Sequence, residues 1–271
     1  MNISKELDQF YTDKEVARGF YNYLDNQFSL EDYFLIEPSA GEGAFSDLFH
    51  SDSLSLDLDP KKDYIIKQDF FDFDFNAENI SIPVFTIGNP PFGKNSSLAV
   101  KFFNKSAEYS KYIAFIIPKT FKKVSVQNKL NLSFHLIQEI ELRKDSFVFN
   151  NKPYDVPCVF QVWEKQDLLR DKVKTNITSE YLDFVSKADG EFAIRRVGGL
   201  AGKVILSFED YKEPSHYYIK SKIDVEDLID VLVDGYTSFN SVAKNAAGNP
   251  SLSKYELITL LDTMMKGESN G

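Results

Sequence analysis

Apolar residues in the first part of the chain fall in short runs: Tyr33–Glu37, Ser53–Asp57, Tyr64–Lys67, Val84–Gly88, Tyr112–Ile117, His135–Leu142 and Val156–Glu164. Runs of this length, bounded by polar turns, mark buried strands. Helical spacing lies between them. Thr12-Asp13-Lys14-Glu15 reads as a capping box, with Thr12 accepting from the Glu15 amide, and Val16, Ala17, Phe20, Tyr21 and Leu24 follow on one face. Gly43–His50, Ser96–Tyr109 and Phe121–Leu130 also read as helical. Strands alternating with helices predict an α/β fold: a doubly wound, mostly parallel sheet with helices on both faces. Val156–Glu164, long and nearly unbroken, is expected inside that sheet.

Past Glu164 the texture changes. Lys165–Asn176 is charged, and short strands are expected at Phe192–Val197, Lys203–Phe208 and Tyr217–Ile219, broken by Gly198-Gly199 and Pro214. Val225–Val233 and Lys254–Met265 read as helices. Two domains are therefore expected, residues 1–164 and a small α+β region over residues 165–271. No internal repeat or low-complexity tract appears.

Composition narrows the class. Hydrophobic residues make up 43% of the 271 positions, with 24 Phe and 14 Tyr, enough for a core and contrary to disorder. No apolar run approaches the roughly 18 residues that cross a bilayer. Met1–Glu6 lacks the pattern of a signal peptide. A single cysteine, Cys158, excludes an internal disulfide, and His50, His135 and His216 show no zinc spacing. The expectation is a cytoplasmic protein with no membrane and no metal. The formal charge is −10 but unevenly spread. Residues 25–78 hold 14 acids and three lysines, whereas residues 93–131 hold eight lysines against Glu108 alone. That basic stretch is either a solvated surface or a face for a polyanion.

Four stretches carry chemistry. Glu37-Pro38-Ser39-Ala40-Gly41-Glu42-Gly43 stands where the first strand meets a helix, and Gly41 and Gly43 allow a tight turn and close backbone approach to a ligand. It lacks the third glycine of a dinucleotide site and the Gly-Lys-Ser/Thr of a P-loop, so NAD and ATP are disfavoured. Asp57 ends the next strand, where an acid can accept from ribose hydroxyls. Asp69-Phe70 ends the third, offering an acceptor and an aromatic contact for adenine. Asn89-Pro90-Pro91-Phe92 follows the fourth. Its prolines fix the backbone, so the Asn89 amide oxygen and the Pro90 carbonyl can both accept from one exocyclic amine, while Phe92 offers a stacking face. A plain proline turn is the alternative.

In the order and letters of these motifs the sequence resembles the S-adenosylmethionine-dependent DNA adenine-N6 methyltransferases of gamma-type arrangement, over about residues 8–164. The resemblance implies a class I methyltransferase sheet and S-adenosylmethionine as cofactor. Phe10, Tyr11 and Thr12 would close over its methionine end, and Glu37, Ser39, Ala40, Gly41 and Gly43 would form its loop. Asp57 would hold the ribose, and Asp69 and Phe70 the adenine. Asn89, Pro90, Pro91 and Phe92 would be catalytic, with Phe147 or Phe149 a second aromatic against the flipped base. DNA is the implied partner. Lys94, Lys119, Lys122 and Lys123 are expected on its phosphates, and Arg195 and Arg196 on base edges. The cofactor half is compact, which leaves Asp59 as the alternative to Asp57. RNA adenine methylation, protein glutamine methylation and a catalytically inactive nucleic-acid-binding relative are the other readings of the same motifs.

Overall fold

The computed structural model describes residues 11–75, 80–149, 152–246 and 248–267, with backbone alone at 149 and 152–154. Two compact units divide between Lys172 and Val173. Residues just past Glu164 stay with the first unit because Arg170 donates to the carbonyls of Phe134 and Gln127 and lies over the Trp163 ring, its guanidinium carbon 5.3 Å from the centroid.

The first unit is built on a seven-stranded sheet. Its strands are β2 (Phe34–Glu37), β3 (Ser53–Asp57), β4 (Ile66–Lys67), β5 (Val84–Gly88), β6 (Ser110–Pro118), β7 (Phe134–Glu141) and β10 (Cys158–Lys165), in the order β4-β3-β2-β5-β6-β10-β7. Strands β4 through β6 pair in parallel, and β10 runs antiparallel to both β6 and β7. Without β10, this is the 3-2-1-4-5-6 order of doubly wound nucleotide-binding sheets. The fold class expected from the sequence is the one observed, and β10 is the interior strand anticipated at Val156–Glu164.

The inner strands β5, β6 and β10 are buried on both faces, which is why they read as nearly continuous apolar runs, while the edge strands β4 and β7 are partly exposed. Leu35, Phe85, Ala114, Ile116 and Phe160 point into a core that includes Ala17 and Leu24 of α1 (Lys14–Phe28). Their neighbours Ile36, Ile113, Phe115, Ile117 and Val159 point the other way, into a core with Phe102 and Phe103 of α2 (Ser97–Ser106) and Val126 of α3 (Val124–Gln127). A separate three-stranded sheet joins β1 (Tyr11–Thr12) to β8 (Phe147–Phe149) and β9 (Lys152–Tyr154).

The second unit is an antiparallel sheet ordered β11-β14-β12-β13: β11 (Leu182–Val185), β12 (Phe192–Arg195), β13 (Val204–Ile205) and β14 (His216–Ser221). Phe192, Ile194, Tyr217 and Ile219 share one core with α4 (Val225–Asp234), α5 (Tyr236–Ala243) and α6 (Lys254–Met265).

Local structure departs from the sequence reading at three places. The helix expected over Gly43–His50 is a single 3-10 turn, Ser46–Leu48, ended by extended backbone at Phe49, and Glu37 accepts from both the amide and the hydroxyl of Ser46. The helix expected over Phe121–Leu130 is broken by extended backbone at Lys123 into a 3-10 turn and the four-residue α3. The cap of α1 is Asp13, whose carboxylate accepts from the amides of Glu15 (2.9 Å) and Val16 (3.2 Å), while Thr12 is drawn into β1. Asp13→Ala should cost about 1 kcal/mol of stability, whereas Thr12→Ala should leave the cap intact. Urea denaturation of the two variants checks this, and equal losses would return the cap to Thr12.

Candidate active site

The order of the parallel strands reverses between β2 and β5, and such a switch point opens a crevice at the carboxyl ends of the strands. A cavity of about 410 Å³ lies there. The loop after β2 supplies Glu37, Ser39, Ala40 and Gly41 to it; the end of β3 supplies Asp57 and Asp59; the chain after β4 supplies Asp69 and Phe70; and the turn after β5 supplies Asn89 and Pro91. Tyr11 and Thr12 cover it from β1.

Hydrogen bonds fix the loop after β2 from both ends. Asp57 accepts from the Gly41 amide at 2.7 Å through one carboxylate oxygen and from the Asp59 amide at 2.8 Å through the other. The Ala40 amide donates to the Leu56 carbonyl at 2.8 Å. Gly41 has a φ of 53°, and a Cβ there would stand 3.0 Å from the Tyr11 ring, so glycine serves both the left-handed turn and the close approach of the covering strand. Gly43, also left-handed, lies outside the cavity lining and faces Tyr64 and Lys62.

Charge gives the cavity its character. Glu37, Glu42, Asp57, Asp59 and Asp69 all line it, and no Lys, Arg or His does so among the described residues. Such a lining favours a ligand with positive charge and disfavours one that carries phosphates. Glu37 is 2% exposed, and its carboxyl is pushed up to about 8, chiefly by burial. Asp59 is exposed and paired with Lys61. At the far end Phe70 stacks on Phe102 at 5.2 Å, and Phe71 meets Phe102 edge-on at 4.9 Å, leaving an apolar end suited to a planar ring. The Thr12 hydroxyl, in the cavity lining, is buried without a hydrogen-bond partner among the described residues, an atom that a polar ligand would satisfy.

Other sequence-predicted residues lie elsewhere. Pro90 is buried, and the half-buried Phe92 packs against the core that holds Leu35 and Phe85; neither lines the cavity. The Ser39 hydroxyl reaches the Asn89 carbonyl at 3.4 Å. Phe147 is a fully buried core residue, which removes it as a surface for a flipped base. Phe10 falls outside the described residues. Cys158 is buried in β10, and burial raises its thiol well above the ordinary range. Lys94 is exposed, while Lys119 and Lys122 are bound to Glu139 and Glu141. Arg195 and Arg196 belong to the second unit; the Arg195 Nε donates to the Val197 carbonyl at 3.1 Å, and Arg196 lies over the Tyr217 ring at 5.0 Å. The sequence reading missed Gln68, Phe71, Leu98 and Phe102. Only the last two carried a signal, an apolar pair four residues apart just after Asn89–Phe92.

Among the described residues no three His, Cys, Asp or Glu side chains converge as a metal site requires, and no helix is long and apolar enough to cross a membrane. No protein-family model matches the chain, and no curated protein does. Solved structures resemble it. A Pyrococcus horikoshii protein described as a candidate RNA methyltransferase is 17% identical, covering 59% of this chain and 88% of its own, with a TM-score of 0.47. A Listeria monocytogenes protein described as a candidate class I S-adenosylmethionine-dependent methyltransferase is 15% identical over 60% and 64%, at 0.45. The 23S rRNA methyltransferase ErmE is 14% identical over 61% and 72%, at 0.39.

The state of Glu37 has a measurable consequence. In the unfolded chain it ionises near 4.5; in the folded protein it holds its proton to about 8. The folded state binds more protons across that window, so stability falls as pH rises through it. Glu37→Gln keeps an acceptor for Ser46 and should remove that part of the decline. Urea midpoints at about pH 5 and pH 8 should therefore differ less for the variant than for the parent protein. Equal differences would place the titration elsewhere.

Proposed function

We propose that the first unit transfers a methyl group from S-adenosylmethionine to the N6 amine of an adenine in DNA. The observation that carries this is the acid-lined cavity at the switch point, which no Lys, Arg or His lines among the described residues, with an aromatic end and Asn89 on its wall. S-adenosylmethionine combines an adenosine with a sulfonium and carries no phosphate, so its chemistry fits that lining. The Thr12 hydroxyl, which has no partner among the described residues, offers it a polar contact. When bound, it would supply an electrophilic methyl group.

The chain's own residues do the rest. Asp57, with Asp59 as its alternate, accepts from the ribose hydroxyls; each Asp57 oxygen holds one backbone N–H and keeps capacity for another donor. Phe70, Phe71 and Phe102 enclose the cofactor's adenine. The amine of the target base is a weak nucleophile because its lone pair is delocalised into the ring. The Asn89 side-chain oxygen and the Pro90 carbonyl would accept its two N–H groups and turn the lone pair toward the methyl. Transfer would form the nitrogen–carbon bond as the donor's sulfur–carbon bond broke, with one amine proton lost to solvent. Phe92, outside the cofactor cavity, is assigned to stack on the base, which must leave the duplex to reach Asn89. Positioning and electrostatics supply the acceleration. The second unit is assigned to target recognition, with Arg195 and Arg196 as its base-edge contacts.

Labelled-methyl transfer to DNA, RNA and protein pools tests the substrate. The label should appear in DNA as N6-methyladenine. Appearance in RNA adenine or in a protein glutamine would move the assignment to that class, and no transfer to any pool would leave a binding protein. Asn89→Ala should abolish turnover while calorimetry shows cofactor affinity near the parent value. Asp57→Asn should weaken cofactor binding by about 1–3 kcal/mol; the same loss in Asp59→Asn alone would shift the ribose contact to that residue.

A further inference from the structure

The basic stretch after Asn89–Phe92 is not a row of free cations. Lys119 and Lys122 lie in the turn that leaves β6, at the same carboxyl edge as the turn that leaves β5. A contact between the Ser96 and Thr120 hydroxyls joins the two turns. Glu141 ends β7, the strand parallel to β6 across β10, and so arrives at this edge as well. There Lys119 pairs with Glu141, and Lys122 pairs with Glu141 at 2.7 Å and Glu139 at 2.9 Å. Two ammoniums are matched there by two carboxylates, where the sequence alone shows only lysines.

The acids are not held alike. Glu139 is anchored from inside the sheet: the buried Gln161 amide donates to it at 2.7 Å, and the Trp163 indole donates to Gln161 at 3.1 Å. Its carboxylate is oriented before any lysine arrives. Glu141 has half its side chain in solvent and, among the described residues, is paired with the two lysines. Partial burial opposes its charge, yet the hydrogen bonds from Lys119 and Lys122 hold its carboxyl below the ordinary value. It is therefore ionised at neutral pH.

We infer that Glu139 and Glu141 set how strongly this rim holds a polyanion, occupying Lys119 and Lys122 so that DNA of arbitrary sequence is held weakly. This rests on the reading of DNA as substrate. An exposed ion pair is a weak, salt-sensitive restraint, so a phosphate oxygen can displace Glu141 from Lys119, while Glu139 keeps Lys122 in place. Affinity for the backbone is thereby kept low, and discrimination falls to contacts with the base. Glu139 and Glu141 are specificity-determining residues in this sense, without touching the reacting atoms.

Binding of the full chain to a duplex without adenine on either strand (guanine–cytosine pairs only), titrated over several salt concentrations, tests this. Glu141→Gln should bind about three- to tenfold tighter at low salt, and its salt slope should steepen by about one unit for the freed lysine. Adding Lys119→Ala should restore the parent slope. Glu31→Gln, an equal charge change before β2 at the opposite edge of the sheet, should alter neither. Measurable DNA binding that is unchanged in Glu141→Gln would overturn the inference and leave the methyl-transfer reading standing. No binding of this duplex by either protein would also overturn the inference, while the methyl-transfer reading stands or falls by the labelled-methyl assay.

Discussion

The hydrogen bond from the Gly41 amide to the Asp57 carboxylate holds the site together. It joins the loop leaving β2 to the end of β3, and it works only because Gly41 adopts a left-handed backbone that a side chain would strain. Glu37 fixes the other end of the same loop through Ser46. With both ends held, the loop becomes one rigid wall of the crevice, Tyr11 can lie directly on it, and the acidic side chains gather on one surface. A carboxylate that orders a backbone loop and still presents acceptor capacity to the cavity has two duties at one position. That is why removing its charge and removing its side chain are different experiments.

Much of this was legible in the sequence, for a definite reason. Strands buried on both faces produce nearly continuous apolar runs, so Val84–Gly88 and Cys158–Lys165 appear close to where they were expected. The glycine loop, the strand-end acids and Asn89 announce themselves because special backbone geometry needs special residues. Less legible was anything decided by a partner distant in the chain. The segment after Gly43 has helical spacing, but it forms one 3-10 turn tied back to Glu37 through Ser46 and ends in extended backbone at Phe49. Thr12 has the letters of a cap, but pairing with Phe147 removes it from the helix.

The lysines make the same point about charge. Counting signs along residues 93–131 gives a basic segment, and the count is correct as arithmetic. It misses that Glu139 and Glu141 arrive from another strand to lie beside Lys119 and Lys122. Local composition gives the charges available, and the fold decides which remain uncompensated. A cavity rich in acids beside a rim of matched pairs is a different electrostatic object from an acidic segment followed by a basic one.

One pairing also bears on how the protein assembles. The strand that covers the crevice, Tyr11–Thr12, hydrogen-bonds to Phe147 and Val148 across most of the first unit's sequence. Contacts of such separation close large loops and form late. The wall at Gly41, by contrast, is made from residues between Glu37 and Asp57. During folding the crevice therefore acquires its floor and walls well before its cover, and any ligand that depends on Tyr11 and Thr12 must wait for the last ladder to zip. The cover is then a reporter of completed folding: a fluorescent probe at position 11 would register the end of the process, and one near position 57 its beginning.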